Sequence, residues 1–159
     1  MPVTGSGRTH TMLYFEDVTL GEEIIFDAVY HVTEEEIIEV GNRWDPQPFH
    51  IDPAAAKDSI FGGIVACSSH IITAAIAIAV TEPENESAAV SNLGFEKIRM
   101  AAPVRPGDTL YSVEEILETR VSNSRPDCGI VSFRNDIYNQ SDEMVASIQT
   151  AALFLRQPD

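Results

Sequence analysis

Between Ser59 and Thr81 the chain carries no charged residue, and its apolar positions run on with little periodicity. That is the pattern of a helix buried around most of its circumference, and it predicts a continuous helix from Ile64 to about Val80. Later segments read differently. Val90–Met100, Thr109–Thr119, Cys128–Asn139 and Met144–Leu155 are rich in β-branched and aromatic residues, and "APVRPGD" and "NQSDE" are turn-forming separators. Four strands are expected there. Leu13–Phe15 and Glu23–Val32, around "TLGEE", read as strand, turn and strand. "TEEEIIEVGNRW" predicts a short helix, with Thr33 and Glu36 as a capping box and Ile37, Ile38 and Val40 as the apolar face. "DPAAAKDS" predicts a helical turn with Asp52 as N-cap and Pro53 at the first position. Phe61-Gly62-Gly63 breaks the chain before the long helix, and "TEPENES" follows it as a polar connection. Five or six strands and one long apolar helix define an α+β domain, its antiparallel sheet wrapped around that helix. Such a sheet has a free edge, so a homodimer is expected.

Composition narrows the function. The chain has 25 acids against 10 bases, a net charge of −15, which excludes the basic surface that nucleic acid requires. The acids are spread along the chain, as on a solvated surface. The uncharged stretch is long enough for a membrane span. Its flanks, however, are Asp58 and Glu82 with no Lys or Arg, and it contains Cys67, Ser68, Ser69, His70 and Thr73. A helix buried in protein is the better reading, with no membrane partner. Cys67 and Cys128 suggest neither a disulfide framework nor zinc spacing, which fits a cytoplasmic protein. Residues 1–11 lack a signal-peptide core and read as a flexible arm before a single domain over residues 12–159.

The chemistry concentrates in "WDPQPFHIDP", where three prolines stiffen a segment holding Asp45, His50 and Asp52. Asp45 can be a turn former before Pro46 and His50 a structural loop histidine. A metal site is poorly supported, because no second His or Cys lies near and His10, His31 and His70 show no ligand spacing. The third reading is an acid–base pair that orients a water. That pair needs a stabiliser for negative charge developing on the substrate. The free amides at the start of a buried helix supply one, and Gly62-Gly63 leave room for close approach.

"DPQPFHIDPAAAKDSIFGGIVA" resembles the hydratase motif of MaoC-like dehydratases, the (R)-specific enoyl-CoA hydratase family. "YFEDVTLGEE", "PVRPGDTL" and "SRPDCGIV" are similar to flanking segments of the family, so the resemblance runs from about residue 12 to 156. It implies a hot-dog fold, dimers, no cofactor, and addition of water to a trans-2-enoyl-CoA to give a (R)-3-hydroxyacyl-CoA, or the reverse. By motif, Asp45 and His50 match the catalytic pair and Asp52 the helix cap. Gly63, Ala66, Cys67 and Phe49 match the substrate and oxyanion region. Arg99, Arg105 and Arg125 are candidates for CoA phosphates, with surface ion pairs as the rival role. The acidic surface would repel an acyl carrier protein and favours free CoA thioesters. Two departures stand out: Gln47 replaces the usual Asn, and Ala66-Cys67-Ser68-Ser69 lacks the usual glycine at the helix start. His70 is expected to be a satisfied buried histidine. A hot-dog thioesterase and a noncatalytic acyl-CoA-binding homologue are the alternatives. The missing Asp or Glu between Ile64 and Val80 counts against the thioesterase.

Overall fold

A computed structural model of the chain describes residues 12–82 and 86–158. The proposed arm at 1–11 and the middle of the 81–87 connection lie outside the described residues. The elements are β1 (Glu23–Ile25), β2 (Tyr30–His31), α1 (Glu34–Trp44), α2 (Pro48–Ile51), α3 (Pro53–Lys57) and α4 (Ser68–Thr81). Four long strands follow: β3 (Ala89–Met100), β4 (Thr109–Val121), β5 (Cys128–Tyr138) and β6 (Met144–Leu155). All pairings between these strands are antiparallel, in the order β1-β4-β5-β6-β3, with β2 pairing separately to β4. This is the hot-dog arrangement, with α4 packed against the inner face of the sheet. The four late strands stand where the hydrophobic pattern put them.

Two early expectations change. Leu13–Phe15 forms no strand: Leu13 makes a single bridge to Ser87, and Phe15–Asp17 is a 3-10 turn. The expected strand over Glu23–Val32 is broken into two short pieces, β1 and β2. The 3-10 turn places Phe15 flat on β5 at Gly129, where a Cβ would fall 2.0 Å from the Phe15 ring.

The inner face of the sheet carries two apolar clusters. Leu110, Ile137, Ala146 and Ile148 pack with Ile71, Ala74 and Ile78 of α4. Ile116, Val131, Ala152 and Phe154 are covered by Phe15 and Val18. Between the clusters, along the same face, lies a polar belt of Ser112, Glu114, Asn135 and Thr150. Asn135 Nδ2 donates to Glu114 Oε2 at 3.0 Å and to Ser112 Oγ at 3.4 Å. Burial raises the Glu114 carboxyl above its ordinary value, and the Asn135 hydrogen bond opposes this only in part.

Above pH 4.5 the folded chain therefore keeps a proton on Glu114 more readily than the unfolded chain does. Its contribution to stability is present below pH 4.5 and is lost as pH rises through the folded-state pKa. Glu114→Gln keeps an acceptor for Asn135 without the charge. Its melting temperature is expected to exceed that of the wild type at pH 7 and to match it near pH 4. Thermal melts across that range check the sign.

Candidate active site

The segment holding Asp45 and His50 owes its shape to local rules. Thr33 caps α1 by accepting the Glu36 N–H at 3.2 Å, and α1 ends at Asp45, whose N–H donates to the Gly41 carbonyl at 2.9 Å. Pro46 cannot continue that helix. Pro48 then opens the one-turn helix α2, where an irregular loop was expected, and brings His50 inward with 7% of its surface exposed. Asp52 caps α3 as its sequence context predicts, with Oδ1 accepting the N–H groups of Ala54 (2.9 Å) and Ala55 (3.2 Å). This bonding engages Asp52 structurally.

His50 is oriented by its neighbours. Its Nδ1 lies 2.6 Å from the Val65 carbonyl, which can only accept, so Nδ1 carries the proton and Nε2 presents a lone pair. Nε2 faces Asp45 Oδ2 at 3.5 Å, and the Asp45 side chain is 42% exposed. At that separation the two atoms make no strong direct hydrogen bond, and both can receive one from a shared water. The Phe49 ring packs against the imidazole, centroids 4.6 Å apart, and against Phe61 at 5.1 Å. One side of the pair is thus apolar and the other open to solvent.

The long helix starts later than the hydrophobic pattern indicated. Residues 64–67 are non-helical and α4 begins at Ser68. The reason is lateral bonding: Val65 N–H donates to the Phe49 carbonyl (3.2 Å), Val65 C=O accepts from His50, and Ala66 N–H donates to the Val104 carbonyl at 2.9 Å. The Ala66 amide, expected near an oxyanion, is therefore occupied. Cys67 is the N-cap, and its N–H has no acceptor among the described residues; the first-turn amides of α4 have no intrahelical acceptor by position. The Cys67 side chain is 1% exposed, with Sγ 3.1 Å from Ser69 Oγ. Gly62 supports the preceding turn at φ +68°, and Gly63 borders open space with Arg105 Nη1 3.8 Å from its would-be Cβ.

Of the three arginines singled out, only Arg105 is placed beside this region. Its Nη2 donates to the Phe61 carbonyl at 2.8 Å, one residue from the Val104 that binds Ala66. Arg125 lies beyond the far end of the 13-residue strand β4, which at about 3.3 Å per residue is roughly 40 Å long. There it makes a two-pronged pair with Asp127, at 3.0 and 2.7 Å, so its charge is already neutralised. Arg99 sits near the end of β3, opposite Ser147 on the outer face. Among the described residues no cluster of His, Cys, Asp and Glu is arranged to hold a metal, and no helix is long and apolar enough to cross a membrane.

One polar cluster escaped the motif reading. The Glu36 carboxylate accepts a hydrogen bond from the Tyr30 hydroxyl and lies 3.6 Å from His70 Nε2; the capping box expected from the sequence is thus only half made. Tyr30 Oη is 3.5 Å from the same nitrogen. His70 is 2% exposed and its Nδ1 has no partner among the described residues, so it is only half satisfied there. Burial pushes the His70 imidazole below its ordinary value, and the Glu36 carboxylate offsets part of that. Sequence offered one signal for this cluster, a histidine inside an apolar run.

The geometry is an Asp–His pair at the open start of a buried helix in a hot-dog domain. Residues 16–133 match the family model "MaoC like domain", and the chain belongs to that family. A solved MaoC-like dehydratase from Rhodospirillum rubrum is 30% identical, with a TM-score of 0.82 over 92% of this chain and 99% of its own. A β-methylmalyl-CoA dehydratase from Chloroflexus aurantiacus is 26% identical over 88% of this chain, which spans 39% of that protein. The R-hydratase PhaJ1 from Pseudomonas aeruginosa shares the fold at 19% identity and a TM-score of 0.73. The family thus includes dehydratases, and the fold is shared with R-hydratases.

Proposed function

We propose that this protein is a hydro-lyase acting on a trans-2-enoyl-CoA, or on the 3-hydroxyacyl-CoA in reverse, through Asp45 and His50. The observation that carries the reading is the 2.6 Å contact of His50 Nδ1 with the Val65 carbonyl, which in the neutral ring leaves a bare Nε2 facing the Asp45 carboxylate. A water between them adds its oxygen to C3 of the substrate while Nε2 accepts its proton. The electron pair of the double bond moves toward the thioester carbonyl, and the resulting enolate takes a proton at C2 from the newly formed imidazolium. Asp45 holds the water before the transfer and balances the imidazolium charge during it. The enolate oxygen meets the Cys67 and Ser68 amides in place of the occupied Ala66 amide, helped by the positive end of α4. Arg105 is the candidate contact for a CoA phosphate. The R configuration of the product rests on the likeness to R-hydratases. We infer further that the unit is a homodimer joined through the exposed β3 edge.

Crotonyl-CoA tests the activity. Loss of the conjugated thioester absorbance without release of free thiol is the expected outcome. Thiol release without hydration would instead favour the thioesterase reading. That alternative is weakened by α4, "SSHIITAAIAIAVT", which holds no carboxylate to serve it.

A further inference from the structure

Outside the Asp45–His50 pair, the described residues hold one buried histidine with an unpartnered nitrogen, His70. It sits in the first turn of α4 and faces two elements, Glu36 from α1 and Tyr30 from β2. The two oxygens near Nε2 include the Glu36 carboxylate, which only accepts, so Nε2 carries the proton and Nδ1 is bare. His70 lines a small apolar cleft together with Val32, Ala66, Val104 and Leu110.

We propose that His70 is a positioning residue: through Glu36 and Tyr30 it fixes the register and rotation of α4, and so the aim of the first-turn amides at the substrate. This rests on the hydro-lyase reading for its consequence, though not for its geometry. Two features make such a tie necessary. First, α4 is apolar nearly all round and presents Ala74, Ala75, Ala77 and Ala79, whose small side chains offer few knobs to stop sliding or turning. Second, the element carrying Asp45 is the same α1 whose first turn holds Glu36. One polar contact therefore joins the helix bearing the acid–base residue to the helix bearing the oxyanion amides. A half-satisfied buried polar contact is a poor device for stability, since an apolar replacement removes the unpaired nitrogen along with the pair. Its value lies in direction. Apolar packing is non-directional, whereas an Nε2 held between the Glu36 carboxylate at 3.6 Å and the Tyr30 hydroxyl at 3.5 Å has a preferred orientation.

The test compares His70→Leu with His70→Gln, whose terminal amide nitrogen can reach toward Glu36 as Nε2 does. Amides that meet charge only in the transition state affect kcat, while ground-state binding and KM change little. His70→Leu is expected to lower kcat for crotonyl-CoA by about 10-fold to 100-fold with KM within a factor of about three and a melting temperature at or above wild type. His70→Gln should recover most of that loss. Glu36→Ala should reproduce the Leu variant. Amide hydrogen exchange gives a readout independent of turnover: Ile71, Ile72 and Thr73, which follow the unbonded first-turn amides and begin with the Ile71 N–H bond to the Cys67 carbonyl, should exchange faster in His70→Leu, with β5 and β6 unchanged. Wild-type kcat in His70→Leu, or a Gln variant no better than Leu, overturns the tie where the wild type hydrates crotonyl-CoA. If the wild type has no hydratase activity, the reading of function fails instead, and unchanged exchange at the α4 start then overturns the tie on its own.

Discussion

His50→Ala is expected to lower kcat for crotonyl-CoA hydration by about 100-fold or more, and Asp45→Asn by a similar factor. The two act on one water, so the double variant should be little worse than either single one. KM should move much less than kcat, because neither side chain has a role in gripping the CoA portion. Asp45 is 42% exposed at its side chain, so Asp45→Asn should leave the melting temperature nearly unchanged. His50 is different: it is buried and donates to the Val65 carbonyl, so alanine leaves that carbonyl without its donor and opens a small cavity. His50→Gln controls for this, since it can fill the site without providing an imidazole. Steady-state rates alongside melting curves separate lost chemistry from lost fold. Near-normal turnover in either folded variant would falsify the acid–base assignment.

Much of this site was legible because it follows from short-range rules. Asp52 before Pro53 and alanines reads as a helix cap, and its carboxylate makes both expected bonds. The Pro-flanked spacing of Asp45 and His50 also announced itself. What stayed hidden depends on contacts between distant segments. No local pattern shows that the Val65 and Ala66 backbone groups are claimed by Phe49, His50 and Val104, which delays α4 by four residues from Ile64 to Ser68. Glu36 reads as half of a capping box from three residues of context, yet its carboxylate turns to Tyr30 and to His70, 34 positions on. Leu13–Phe15 has strand composition, but its aromatic ring is needed over Gly129, and covering the sheet prevailed over joining it. Arg125 shows the reverse: Asp127 two positions away was visible in the sequence, and the pair formed.

Phe95→Lys and Ile98→Lys are each expected to shift the proposed homodimer to monomer. β3 is an edge strand whose residues are nearly all exposed, and Val90, Leu93, Phe95 and Ile98 stand 41–53% exposed along it. Phe95 pairs with Thr150 and Ile98 with Ile148, so both point to the inner face that elsewhere is covered by α4. The exposed flank of α4 adds Ile76 at 45% and Val80 at 74%. An isolated edge strand this long and apolar invites pairing with another chain, and a second copy around a two-fold axis supplies a matching edge. Charge alone would resist it at −15 per chain, so apolar burial has to provide the attraction. Losing a central aromatic anchor costs about 2 kcal/mol or more, roughly a 30-fold rise in the dimer dissociation constant, and a buried lysine adds to that. Sedimentation velocity across a dilution series measures the shift. Because both substitutions sit in an exposed strand, circular dichroism should be unchanged; a folded variant that remains dimeric places the interface on another face.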